Sequence, residues 1–141
     1  MSWTHHKPIR LHHTDAAGII FFPRLLELAH EAYEALLDAL GFPLAQGLAT
    51  DGPILPIGRC EADYLRPLKL GMTVAIEITV LREGNRSFTL GYVFRDEEGT
   101  EMARAQTVHV GMDRRTGKSV ELPDMVRVGL KMVKEGNISA G

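Results

Sequence analysis

Two neighbouring features of the chain could carry chemistry at an acyl centre: a carboxylate in a short loop, and a helix start directly behind it. The segment Arg10-Leu-His-His-Thr-Asp15-Ala-Ala-Gly18-Ile-Ile-Phe-Phe22-Pro23 sets Asp15 and Gly18 among apolar residues just ahead of a helical pattern. First-turn amides of a helix lack intrahelical partners and carry partial positive charge. Such an end polarises a carbonyl oxygen held against it. A carboxylate beside that carbonyl either attacks it or deprotonates a water that does. Acyl transfer or hydrolysis is the reaction class this combination suits. The same residues equally suit a structural turn, with Asp15 capping the chain and Gly18 supplying a positive φ.

Other reactive groups are placed less suggestively. There is no Gly-x-Gly-x-x-Gly, P-loop, Gly-x-Ser-x-Gly or His-Glu-x-x-His pattern. His30-Glu31-Ala32-Tyr33-Glu34 ends in the wrong residue for a zinc helix. Ser2, Ser87, Ser119 and Ser139 stand in no nucleophile context, and Cys60 reads as a small core residue of a strand. The pairs His5-His6 and His12-His13 would point to opposite faces of extended chain, which argues against joint chelation. No metal and no cofactor are expected. Either His12 or His13 could share the proton of Asp15, or simply sit exposed at a strand end. Glu31 is a second candidate carboxylate, or an ordinary helix-surface residue.

These groups need elements to hold them. Lys7 to His12 reads as a first strand with Ile9 and Leu11 on one face. Pro23 suits the first helical position, and Leu25 to Leu40 carries a broad apolar stripe ended by Gly41. In that stripe Leu25, Leu28, Ala29 and Ala32 are expected in the core rather than in a pocket wall. A loop spans 42–53. Four strands follow: Ile54 to Leu65, Met72 to Leu81, Arg86 to Phe94 and Glu101 to Asp113. The third of these shows Phe88, Leu90, Tyr92 and Phe94 on one face, and the last alternates Ala103, Ala105, Thr107, His109 and Gly111 against Met102, Arg104, Gln106, Val108 and Val110. Pro123 to Lys134 suits a short helix, and 137–141 is expected to fray. The pattern is α+β: one long helix against an antiparallel sheet.

Composition bounds the class further. The chain has 141 residues and is read as a single domain spanning 1–141. Its formal net charge of −2 gives no global basic field, so nucleic acid is not an expected partner. No apolar run approaches the roughly 20 residues of a membrane helix, and no secretory signal is visible. A lone cysteine fits a reducing compartment, so the expected location is cytoplasmic. One helix on a five-stranded sheet makes a thin domain, and self-association is expected.

The residues also resemble a known family. Thr14-Asp15-Ala16-Ala17-Gly18-Ile19-Ile20-Phe21-Phe22, His30-Glu31-Ala32-Tyr33-Glu34, Ala62-Asp63-Tyr64-Leu65-Arg66-Pro67-Leu68, Arg86-Ser87-Phe88-Thr89-Leu90 and Ala105-Gln106-Thr107-Val108-His109-Val110 occur in the family's order. Together they resemble the hotdog-fold acyl-CoA thioesterases of the 4-hydroxybenzoyl-CoA thioesterase type, and most of all the 1,4-dihydroxy-2-naphthoyl-CoA thioesterases. The resemblance runs from about Ile9 to Pro123. It implies a hotdog fold, in which a curved antiparallel five-stranded sheet wraps one long central helix.

The same resemblance implies that Asp15 is the catalytic nucleophile or general base, and that the backbone N–H of Phe22 faces the thioester oxygen. Phe21 and Phe22 stand where the family often has Tyr or His, so no hydroxyl or imidazole role is implied there. Gly18, Arg86 and Ser87 are the positions implied against the substrate, with Arg86 chosen for a CoA phosphate or else a solvated charge beside a turn. The implied substrate is an acyl-CoA, aromatic rather than short-chain aliphatic or carrier-bound. A homodimer or homotetramer with sites at the subunit boundary is also implied. Hydration of an enoyl thioester, or acyl-CoA binding without catalysis, are the competing readings.

Overall fold

A computed structural model describes residues 1–48 and 51–138. Positions 49 and 50 of the expected loop, and 139–141 of the expected frayed end with Ser139, lie outside that set. The elements follow as β1 (Trp3–Pro8), α1 (Arg24–Leu40), α2 (Leu44–Leu48), β2 (Ile57–Tyr64), β3 (Thr73–Glu83), β4 (Ser87–Arg95), β5 (Glu101–Val110) and α3 (Asp124–Glu135). The five strands form one antiparallel sheet in the order β1-β3-β4-β5-β2.

Alternation decides which face is dry. Val74, Ile76 and Ile78 of β3 are fully buried, as are Phe88, Leu90, Tyr92 and Phe94 of β4. Against them lies the stripe of α1, where Leu25, Leu28, Ala29 and Ala32 are at 0% exposure, so these four are core. Burying each such Leu removes it from water for roughly 1.5–3 kcal/mol. Gly41 ends the helix in the left-handed region at φ 86°, which a residue with a Cβ reaches only under strain.

Four local expectations are corrected. The first strand begins earlier and ends at Pro8; Leu11 lies in a 3-10 turn (Leu11–His13) and is exposed, because Ile9 alone docks inward. Pro23 is the cap before α1 rather than its first residue. A short helix, α2, forms inside the expected loop. Cys60 is exposed rather than core. The reason is its strand: β2 is the sheet's outer edge, α1 does not reach over it, and nearly every residue on both its faces meets water.

The sheet has two distinct ends. β3 starts where the 13–21 loop attaches and finishes at the turn carrying Arg86. Its eleven residues span about 36 Å. α1 runs along the same direction, so its N-terminus lies at the loop end and Gly41 at the other.

Candidate active site

The loop holding Asp15 is a tight hairpin. Phe21 N–H bonds the His13 carbonyl at 2.9 Å, Thr14 bridges Ile20, and Asp15 N–H bonds the Ile19 carbonyl at 2.9 Å. The turn closes through Gly18 N–H to the Asp15 carbonyl at 3.0 Å, with Gly18 at φ +77°. The space around Gly18 is open, so backbone conformation and not crowding is what requires glycine there. The hairpin docks by Ile20 N–H to the Leu68 carbonyl and Leu70 N–H to the Gly18 carbonyl, with Ile20 buried.

Asp15 sits exposed at the hairpin tip. Its Oδ1 accepts the Ala17 N–H at 2.8 Å, which fixes the carboxylate plane. Its Oδ2 has no hydrogen bond among the described residues and is available to a reactant. At the hairpin's far end the chain enters α1. Arg24 N–H bonds the Phe21 carbonyl at 2.8 Å, Leu25 N–H reaches the Phe22 carbonyl at 3.3 Å, and Pro23 has no N–H to give. The Phe22 N–H has no hydrogen bond among the described residues and stands at the positive end of a helix about 26 Å long. A carboxylate oxygen and an amide donor, both unpaired, are held by one hairpin. Both have the availability that an acyl-addition site demands.

The collar around this pair is apolar and open. The Phe21 and Phe22 rings meet edge to face at 5.4 Å, and both are exposed, as are Tyr64 and Leu65 at the end of β2. The Tyr64 hydroxyl donates to the Phe22 carbonyl. Nothing in the sequence reading assigned Tyr64 a role; its signals were its place at a strand end before Arg66-Pro67 and inside one of the segments that carry the family resemblance.

Neither neighbouring histidine pairs with Asp15. His13 is buried, and its Nδ1 accepts the Arg10 N–H at 2.8 Å, which leaves any ring proton on Nε2. Burial, and then the charge of His12, push its pKa below the usual imidazole value. His12 is exposed and packs on the His13 ring at 3.9 Å. Glu31 is engaged with Lys7 at 3.0 Å. Among the described residues no three His, Cys, Asp or Glu side chains gather as a metal site.

Arg86 and Ser87 lie at the other end of the sheet, the length of β3 away from Asp15. Arg86 Nη1 donates to the Ser119 carbonyl at 2.8 Å and the Ser119 hydroxyl at 3.3 Å, and the side chain is exposed, with no hydrogen bond from Nε or Nη2 among the described residues. Ser87 begins β4 opposite Val110. One protomer thus brings together Asp15, Gly18 and Phe22, and keeps Arg86 and Ser87 apart from them.

The far end also holds two features the sequence reading did not single out. A cavity of about 640 Å³ opens between the second half of α1, the segments either side of the undescribed residues, Phe88 and Leu90 of β4, and α3. Its lining is overwhelmingly apolar, led by Leu36, Leu37 and Leu40. Behind its Tyr33 and Phe88 walls lies His109, with ring centroids at 4.6 and 4.8 Å. His109 Nε2 pairs with Thr107 Oγ1 at 2.9 Å, and that hydroxyl pairs with Tyr92 at 2.9 Å. Nδ1 has no well-formed partner. Burial pushes the His109 pKa down to about 4, against a smaller opposing pull from the Leu55 backbone. The sequence signal for this hydrogen-bonded series was partial: alternation put Thr107 and His109 on the same strand face as Ala103 and Ala105, and only the fold buries that face.

Comparison with known proteins adds to this geometry. Residues 9–130 match the family model described as the thioesterase-like superfamily. The chain is 36% identical over 122 residues to a 1,4-dihydroxy-2-naphthoyl-CoA hydrolase of Thermosynechococcus vestitus, covering 86% of this chain and 84% of that one. Its fold superposes on a 1,4-dihydroxy-2-naphthoyl-CoA thioesterase from Synechocystis with a TM-score of 0.87 at 26% identity, covering 93% and 96% of the two chains. A gentisyl-coenzyme A thioesterase matches with a TM-score of 0.81 at 26% identity, covering 90% and 98%.

Proposed function

The chain belongs to the thioesterase-like superfamily and is a thioester hydrolase, and from that premise we propose that it cleaves an aromatic acyl-CoA to the free acid and CoA through Asp15 and the Phe22 amide. The observation that carries this reading is the hairpin itself, which presents one unpaired carboxylate oxygen and one unpaired helix-start N–H. The thioester carbonyl oxygen lies against the Phe22 N–H, which takes up the negative charge that develops there. Asp15 Oδ2 acts on the carbonyl carbon directly, or on a water that adds to it. On the direct route the C–S bond breaks as Asp15 and the acyl group form a mixed anhydride, which a water then hydrolyses to the free acid, regenerating the carboxylate. On the other route the water adds its oxygen to the carbon, Asp15 takes its proton, and the C–S bond breaks. On both, the proton that makes the CoA sulfur a thiol comes from that water. Neither a metal nor a redox cofactor takes part in this sequence.

The aromatic preference is supported by the 1,4-dihydroxy-2-naphthoyl and gentisyl substrates that the similar proteins are named for. The apolar collar of Phe21, Phe22, Tyr64 and Leu65 suits a ring. The exposed, unpaired Cys60 supports a reducing, cytoplasmic setting.

The working unit in this reading is a homodimer or a pair of dimers. β2 is exposed on both faces and has an unpaired outer edge, a form of strand that ordinarily acquires a cover. Antiparallel pairing of two β2 edges would set the Tyr64 end of one copy beside the Ile57 end of the other. The partner's Arg86 end would then approach Asp15, where an exposed guanidinium suits a CoA phosphate.

The test is thiol release, followed with a colorimetric thiol reagent across benzoyl-, hydroxybenzoyl-, dihydroxynaphthoyl- and short aliphatic CoA esters. Turnover with the aromatic esters ahead of the aliphatic ones is expected. Binding without thiol release would replace the reading with a non-catalytic one. Sedimentation should give a dimer or tetramer, and a fully active monomer would remove the shared site.

A further inference from the structure

We propose that Tyr64 is a positioning residue that fixes the Phe22 amide for catalysis, a role that rests on the thioester-hydrolase reading above. Tyr64 closes β2 and lies 42 residues from Phe22 in sequence, yet its hydroxyl donates to the Phe22 carbonyl. That carbonyl heads the first turn of α1. The helix offers it only the Leu25 N–H, at 3.3 Å, a long bond. The next residue, Pro23, has no N–H. Tyr64 therefore supplies the closer hold on the peptide that follows Phe22.

The peptide before Phe22 is held from the other side. Its carbonyl, on Phe21, accepts Arg24 N–H at 2.8 Å, and Phe21 N–H bonds the His13 carbonyl at 2.9 Å. Both flanks of the Phe22 amide are thus secured while the amide itself has no partner. A donor that stabilises developing charge works in this way: it is aimed before the charge appears, so no reorganisation is needed during reaction. With the Tyr64 hydroxyl removed, the Phe22–Pro23 peptide keeps only the long bond, and the start of α1 is freer to rock about Phe22.

Stability is not what this bond chiefly serves. Tyr64 is 46% exposed, whereas α1 is anchored by Leu25, Leu28, Ala29 and Ala32 in the core. One exposed hydrogen bond adds little to that anchorage, but a small displacement of a catalytic donor is costly in rate. Partial burial also holds the Tyr64 phenol above its ordinary pKa, so the hydroxyl remains a donor throughout the neutral range.

The experiment is Tyr64→Phe in the full chain, read with the best CoA ester of the wild type. kcat for thiol release should fall about tenfold, with KM within about twofold and the melting midpoint within about 2 °C. In protein labelled with ¹⁵N-phenylalanine, the Phe22 amide resonance should shift and broaden while that of buried Phe94 stays in place. Unchanged kcat, or a kcat loss matched by an equal change in KM or a large fall in melting midpoint, overturns the role. An inert wild type would sink the thioesterase reading instead; an active wild type beside a fully active Tyr64→Phe variant sinks this inference alone.

Discussion

The two ends of the sheet treat polar groups in opposite ways. At the end where β3 begins, many backbone hydrogen bonds are made so that two groups, Asp15 Oδ2 and the Phe22 N–H, can be left unmade. At the end where β3 finishes, one carboxylate is doubly paired, although Arg86 beside it meets no carboxylate among the described residues. Glu83 takes Lys134 at 2.7 Å and Arg127 at 2.9 Å, which holds its carboxyl below the usual range, the Lys134 bond contributing most. Arg127 also reaches the Asn85 carbonyl, clamping α3 to the turn beside Arg86. Beneath that clamp the interior is apolar and partly empty. One end leaves a carboxylate oxygen and an amide donor without partners among the described residues; the other clamps α3 to the end of β3.

Four measurements would break or sharpen that contrast. Asp15→Asn should lower kcat for thiol release by 10²–10⁴-fold, on the scale of lost acid–base or nucleophilic help, with the melting midpoint almost unchanged. Asn can still accept the Ala17 N–H, so the hairpin stays intact; retained turnover would remove Asp15 from the chemistry.

The second concerns acid stability at the far end. His109 has its pKa lowered from 6.5 to about 4 in the fold. Between those values the unfolded chain binds the proton and the folded chain does not, so folding stability falls as pH drops through that window. The loss is roughly 3 kcal/mol at most by pH 4, and none of it remains to be gained above the unfolded pKa. Urea titrations at a series of pH values should show it, and His109→Gln should flatten the slope. An unaltered slope would mean that other groups drive acid unfolding.

A third prediction uses Gly111, which ties β5 to the Arg86 turn. Its N–H bonds the Arg86 carbonyl, and a Cβ there would lie 2.6 Å from the Val120 carbonyl oxygen. Gly111→Ala should cost about 1–3 kcal/mol in urea unfolding. Equal stability would show that the 119–122 segment yields easily. The smallest effect is reserved for Arg86→Ala. KM for the CoA ester should rise a few-fold at unchanged kcat, as expected for one surface phosphate contact; an unchanged KM would leave Arg86 as only the tie to Ser119.

Much of the reactive end was legible because it is local. Phe22 came from the family resemblance and not from its neighbours, but Asp15 and Gly18 read as a loop with special backbone needs directly ahead of a helix pattern, a local signal that suited a structural turn as well as a reactive carboxylate. The inward row Phe88, Leu90, Tyr92 and Phe94 was legible for the same reason, since strand period links near neighbours. Cys60 was misread as core because alternation says which residues share a face, not whether anything covers it. The first strand was displaced because Ile9 and Leu11 keep the right spacing while only Ile9 docks.

The sequence by itself therefore determined the long helix, the main strands, the apolar faces of β3 and β4, and a carboxylate-bearing loop ahead of the helix start, because each depends on contacts a few residues apart. Only the tertiary structure decided that β2, second among the strands in sequence but last in the sheet, becomes an open edge beside β5. That placement carries Tyr64 to Phe22 and leaves Cys60 in water. The length of β3, in turn, sets Arg86 a strand away from Asp15. Sheet order is a global choice, fixed by which strands bury which faces, and no short pattern encodes it.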